Sequence, residues 1–254
     1  MSALEQLAVL AAGLGAGVLT STVGVASLLS FPVLLAVGLP PVVANASNTV
    51  GLTPGALSGS FGYRRELREF PGLSLAVLAT CAVGGVVGAF LLLALDPAVF
   101  EAVVPWLILF TCLLVGVAPW LSAWLRGRHE GMLEDRTTMS GPTTFFALLT
   151  GVYGGYFGAG SGVMMMAVLG LGLDLELRVV NALKTFAVLA GNLVASVVFV
   201  VVAELDWAAI GLLAIGSVIG GYAGSWVGRL IPPTLLRSLI VVAGVVAAAL
   251  LLRS

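Results

Sequence analysis

Residues 136 positions apart in this chain repeat one another, and a chain written twice is expected to fold as two like units. Gly15 recurs as Gly151 and Gly24 as Gly160. Asn45, Ala46 and Thr49 recur as Asn181, Ala182 and Thr185, with Asn48 standing where the second half has Lys184. Gly55, Leu57 and Ser60 meet Gly191, Leu193 and Ser196; Gly84, Gly85 and Gly88 meet Gly220, Gly221 and Gly224; Pro97 meets Pro233. One offset kept over about eighty positions marks an internal duplication.

What each unit can be follows from its polarity. The chain is 60% hydrophobic and 9% charged, too apolar and too poor in charge for an ordinary soluble domain. An all-α polytopic membrane protein is predicted, with the lipid bilayer of the cell membrane as its surroundings. The net charge of −1 and the lack of a basic patch exclude nucleic acid as a partner. Met1 to Gln6 carry no basic residue, so the first apolar segment is expected to be retained and not cleaved as a signal peptide. Cys81 and Cys112 lie in apolar segments and read as packed thiols, with no metal site and no cofactor called for.

Each half holds five apolar elements, two short ones around a glycine-rich tip and three long enough to span. In the first half these are residues 7–20, 25–37, 42–63, 72–95 and 99–125; in the second, 144–157, 163–173, 179–203, 208–230 and 234–252. The predicted division is a first membrane repeat over 1–125, a polar linker over 126–139 and a second repeat over 140–254. Lys and Arg collect on the cytoplasmic side of membrane proteins. Arg64, Arg65 and Arg68 follow the third element of the first half, while its counterpart is followed by Glu204 and Asp206; Asp96 and Glu101 are answered by Arg229 and Arg237. The two repeats therefore read as inverted in topology, with the linker, which holds Arg126, Arg128 and Arg136, inside. An odd number of crossings per half is needed, met equally by a re-entrant pair plus three spans or by five crossings.

The short pairs carry the chemistry. As helices, residues 144–157 and 163–173 would measure about 21 Å and 17 Å, short of a hydrocarbon core of about 30 Å. Unwound backbone at membrane depth survives only when protein covers it or it lines a cavity. A helix starting at such a tip aims free N–H groups and its positive dipole end inward, which makes an anion site. The predicted tips are Gly160, Ser161 and Gly162 in the second half and Ser21, Thr22 and Gly24 in the first. Lys184, the only lysine, lies about 10 Å along its helix and shares a face with Asn181, Val188 and Asn192, next to Thr185. Charge inside a membrane marks function by default, although a lysine near a helix end also snorkels to the interface. Asn45, Asn48 and Thr49 are the first-half counterparts, readable as ligands or as interhelical hydrogen-bonding groups. Every Asp and Glu falls in a loop or at a helix end, and the one histidine, His129, is in the linker, so no nucleophile and base pair supports an enzyme.

These same residues resemble the sulfite exporter TauE/SafE family of membrane permeases. The likeness rests on the glycine-rich stretch from Gly13 to Gly24, on Pro32, on the run from Ala44 to Thr49, and on the second copy from Gly151 to Gly162 followed by Asn181 to Thr185. The paired Gly84, Gly85 and Gly220, Gly221 belong to it too. It covers nearly the whole chain and implies transport, usually outward, of small sulfur-containing anions such as sulfite, sulfoacetate or another organosulfonate. A secondary transporter with a midplane anion site is the leading expectation. A channel-like pore for a small anion or neutral solute is the alternative, and a scaffold lacks polar docking loops. Monomer and homodimer both stay open.

Overall fold

A computed structural model describes residues 1–22, 25–60, 63–129, 136–227 and 233–252. Among these described residues ten α-helices follow one another: α1 (Ala3–Thr22), α2 (Ser27–Ala36), α3 (Pro41–Ser60), α4 (Pro71–Ala94), α5 (Pro97–His129), α6 (Gly141–Tyr156), α7 (Ser161–Gly172), α8 (Leu177–Val202), α9 (Trp207–Val227) and α10 (Pro233–Leu251). No strand occurs among the described residues. The predicted all-α membrane fold is what the chain adopts. Proline opens α3, α4, α5 and α10, where its missing N–H is one the helix start cannot use anyway. Ser140 caps α6, its hydroxyl accepting from the Thr143 N–H at 3.3 Å.

Two boundaries differ from expectation. The first element, predicted short over 7–20, is a 20-residue helix and, among the described residues, one of four helices long and apolar enough to cross a membrane, with α4, α5 and α8. A capping box starts it early: the Ser2 N–H donates to Glu5 Oε2 at 2.7 Å and the Glu5 N–H to Ser2 Oγ at 3.3 Å. At the other end of the first half α5 runs on through His129 into the predicted linker, since no strong helix breaker intervenes.

Packing is reciprocal between the halves. α1 lies on α9 as α6 lies on α4; α3 lies on α9 as α8 lies on α4; α3 and α8 meet each other, and α5 meets α10. Glycine sets the separation where backbones touch. A Cβ at Gly84 would come within 2.6 Å of the Leu148 carbonyl oxygen, and one at Gly220 would meet the Leu14 carbonyl in the same way.

That correspondence corrects the repeat register. Gly84 and Gly220 are 136 residues apart, but Leu14 and Leu148 are 134 apart. α2 and α7 likewise begin at Ser27 and Ser161, 134 apart, whereas α3 and α8 begin at Pro41 and Leu177, 136 apart. The extra two residues are in α7, which has 12 to the 10 of α2. Structurally, Ser161 therefore answers to Ser27; the predicted match of Gly24 with Gly160 falls on a residue outside the described ones.

The ends of the bundle differ. Near the end of α3, Arg178 pairs with Glu69 at 3.0 Å and Glu66 at 3.4 Å, and Arg136 grips Asp174 with two bonds of 2.6 Å. Near the start of α3, the Asp206 N–H donates to Ser47 Oγ at 3.0 Å. The connection that follows α3 and its counterpart that follows α8 thus sit at opposite ends of α3.

Candidate functional site

α6 and α7 join through a tight turn at Phe157–Gly160. Gly158 and Gly160 have φ of +82° and +78°, the left-handed region that glycine enters without steric cost. The turn is pinned from two sides: Tyr153 Oη donates to the Ala159 carbonyl at 2.7 Å, and Thr111 Oγ1 of α5 reaches the same oxygen at 3.0 Å. Ser161 Oγ donates to the Gly158 carbonyl at 2.8 Å. The N–H groups of Ser161 and Val163 are taken by Gly158 and Gly160, and that of Gly162 has no protein acceptor among the described residues.

This tip forms one wall of a cavity of about 910 Å³. Gly158 through Val163 line it, facing Asn181, Lys184, Thr185, Val188 and Asn192 of α8; Thr49 and Leu52 of α3, Ala118 and Ser122 of α5, Val218 of α9, and Thr20 and Ser27 at the first tip complete the wall. The sequence-predicted face of α8 is thus gathered at the start of α7, as helical spacing required. Among the described residues Lys184 is the only charged one lining the cavity, and it has neither a hydrogen bond nor an ion pair with any of them.

Hydroxyl protons around the cavity are largely committed. Thr185 Oγ1 donates to the Asn181 carbonyl at 2.7 Å, Thr49 Oγ1 to the Asn45 carbonyl at 3.0 Å, and Ser161 is engaged as above. Among the described residues the donors left for a ligand include the Lys184 ammonium, the amides of Asn181 and Asn192, the Gly162 N–H and the hydroxyls of Ser27, Ser122 and Tyr63. This set, with no carboxylate beside it, is chemically suited to an anion.

Asn45 and Asn48 are placed elsewhere. Both are buried outside the cavity wall: Asn45 Nδ2 donates to the Tyr156 carbonyl at 2.9 Å, and Ser30 Oγ donates to Asn48 Oδ1 at 2.6 Å. Gly24 and the side chains of Ser21 and Thr22 lie outside the described residues. Residues that sequence reasoning passed over include Ser27, which the 134-residue register would have exposed, since Gly24, Val25, Ala26 and Ser27 then align with Gly158, Ala159, Gly160 and Ser161. No sequence signal marks Thr111, because nothing local says which turn of α5 meets the tip.

The chain matches known proteins along most of its length. It is 26% identical over 247 residues to a "Probable membrane transporter protein" of Haemophilus influenzae, covering 94% of this chain and 91% of that one. It is 25% identical over 210 residues to "Probable membrane transporter protein ORF9" of a Sinorhizobium species, covering 83% and 78%. No solved structure matches it. Residues 9–251 match the profile of sulfite exporter TauE/SafE, a span that takes in both tips and every residue lining the cavity. A multi-pass helical protein whose cavity and helix tips lie wholly inside that match is a member of the sulfite exporter TauE/SafE family of membrane transporters.

Proposed function

We propose that the protein is a secondary transporter of the cell membrane that exports small sulfur-containing anions, sulfite, sulfoacetate or another organosulfonate, by alternating access of two inverted repeats about the Lys184 cavity. The observation that carries this reading is a lysine unpaired among the described residues, in a cavity that none of their carboxylates lines and that the glycine-capped start of α7 walls. A monoanion entering there gains its first full counter-charge. The cavity volume of about 910 Å³ is ample for a bare oxyanion and accommodates an organic body as well.

Export needs no further energy source in principle. An inside-negative potential contributes about 2.3 kcal/mol per 100 mV for each outgoing negative charge. Among the described residues no Asp or Glu lines the cavity to carry a coupled proton. Reciprocal packing of the helices and the opposite placement of the α3–α4 and α8–α9 connections support the inverted repeat. In that orientation the cavity opens between the cytoplasmic halves of α3, α5, α8 and α9.

A thermal-shift screen of purified protein against sulfite, sulfoacetate, taurine, thiosulfate, sulfate and acetate tests the substrate class. Sulfite or a sulfonate is expected to raise the melting temperature where acetate does not, and equal responses to all six would sink the assignment. Saturable counterflow in proteoliposomes is expected of a transporter and absent from a pore. For the topology, single cysteines replacing Arg65 and Asp206, in a background without Cys81 and Cys112, are expected to label from opposite faces of the membrane. Labelling from one face would end the inverted-repeat reading.

A further inference from the structure

Asn45 and Asn48 stand four and seven residues after the first residue of α3, as Asn181 and Lys184 stand after that of α8. Each pair is therefore about 6 and 10 Å from its own helix start, at opposite ends of the bundle. One pair is open and the other shut. Asn181 and Lys184 line the cavity, while Asn45 and Asn48 are each 1% exposed. Aromatic residues adjoin the partners of this second pair, Phe31 following Ser30 and Phe157 following Tyr156 in the chain. Phe31 of α2, Phe100 of α5 and Phe157 at the second tip are all buried and pack edge to face or tilted, with ring centroids 5.5 Å apart for Phe31 and Phe157 and 6.3 Å for Phe100 and Phe157. Tyr156, whose carbonyl holds Asn45, packs its ring on Phe100 at 5.6 Å.

The shut pair is incompletely satisfied. Asn45 Oδ1 and Asn48 Nδ2 are buried with no hydrogen-bond partner among the described residues. An amide atom stripped of water without a replacement is destabilising, so native structures rarely keep one without a reason. A conformation in which solvent or substrate reaches these atoms removes that cost.

We propose that Asn45, Asn48 and Ser30 form the outward-facing binding station of the transport path, closed in this conformation by the Phe31, Phe100 and Phe157 rings. This rests on the alternating-access reading above. When the rings part, Asn45 Nδ2 is released from Tyr156, and the station offers two amide N–H₂ groups and one hydroxyl to the anion. It offers no positive charge, because Asn48 occupies the place that Lys184 holds in the other half. The two stations are therefore unequal: the cytoplasmic one captures the anion by charge, and the external one holds it by neutral hydrogen bonds and releases it readily. Net direction still follows the gradients of substrate and potential; the inequality sets a lower half-saturation concentration inside than outside.

The test is thiol accessibility in the full chain, with Cys81 and Cys112 replaced by Ser, using an impermeant thiol reagent on intact cells and on inverted membrane vesicles. Asn48→Cys is expected to react slowly in the otherwise unchanged protein, and at least about tenfold faster when Phe100→Ala is added, from the face opposite to the one that labels Asn181→Cys. Phe157→Leu serves as a second gate variant should Phe100→Ala fail to fold. Reaction of Asn48→Cys from the same face as Asn181→Cys, or no acceleration in either gate variant, would overturn the proposal and leave Asn48 a packing contact. The readout needs no substrate, so a failure of sulfite and sulfonates to bind would count against the anion assignment alone.

Discussion

Lys184→Gln is expected to weaken binding of a sulfonate monoanion on the order of a hundredfold or more, the largest effect of any conservative change in the protein. Among the described residues the ammonium is the only full charge on the cavity wall, and none of them neutralises it. Removing one partner of a desolvated, hydrogen-bonded charge pair costs about 3 to 5 kcal/mol, and each 1.4 kcal/mol is a factor of ten. Glutamine keeps a comparable length and a donor but loses the charge. Lys184→Arg is expected to retain part of the affinity, since the charge survives in a planar, differently shaped head. A second readout separates this role from a snorkelling lysine. Without ligand, an unpaired ammonium in a low-dielectric cavity is a burden, so Lys184→Gln should melt at a higher temperature than the parent while gaining less from added sulfonate. Calorimetric titration together with melting curves checks both. Unchanged affinity and unchanged melting would show a lysine in free contact with water, and the anion would have to be held by the α7 terminus and the Asn amides.

Gly160→Val is expected to abolish transport while leaving a folded, monodisperse protein. Gly160 caps α7 with φ of +78°, and a Cβ there would lie 2.8 Å from Thr111 Cγ2. A β-branched residue in that region of backbone space costs about 1 to 3 kcal/mol, a local penalty that a bundle of ten helices can bear. The tip cannot bear it unchanged, because Thr111 must move and with it the bond that holds the Ala159 carbonyl at 3.0 Å. The free Gly162 N–H and the start of α7 then shift away from Lys184. Gly116→Ala is the control, as nothing lies within 4 Å of a Cβ built at Gly116. Uptake in proteoliposomes and gel filtration decide the matter: normal transport in Gly160→Val would remove the tip from the site.

Much of this arrangement is legible in the order of the residues. Hydropathy and polar breaks mark each helix to within about four residues, although Pro32, Pro54, Pro105 and Pro119 lie inside helices and do not end them. Spacing along α8 places Asn181, Lys184, Val188 and Asn192 on one face, and all four line the cavity. The register of the first helix pair misled for an equally physical reason. Helices this rich in glycine match at many offsets, and Gly15 with Gly151 looks as good on paper as Gly17 with Gly151 does in the packing. Serine, rarer at these tips, is the better guide, and it pairs Ser27 with Ser161.

The sequence alone determined a helical membrane protein written in two halves, with one lysine set among asparagines at a glycine-rich break, because hydropathy, repetition and helical period are local properties of the chain. Which of the two matching polar faces lies open was decided by tertiary structure. α3 and α8 carry their polar residues at the same distance from their starts, yet Asn45 and Asn48 are buried while Asn181 and Lys184 line a cavity. The groups that hold the buried pair, Ser30 of α2 and the Tyr156 carbonyl at the end of α6, are far apart in sequence, and only packing brings them to one face of α3.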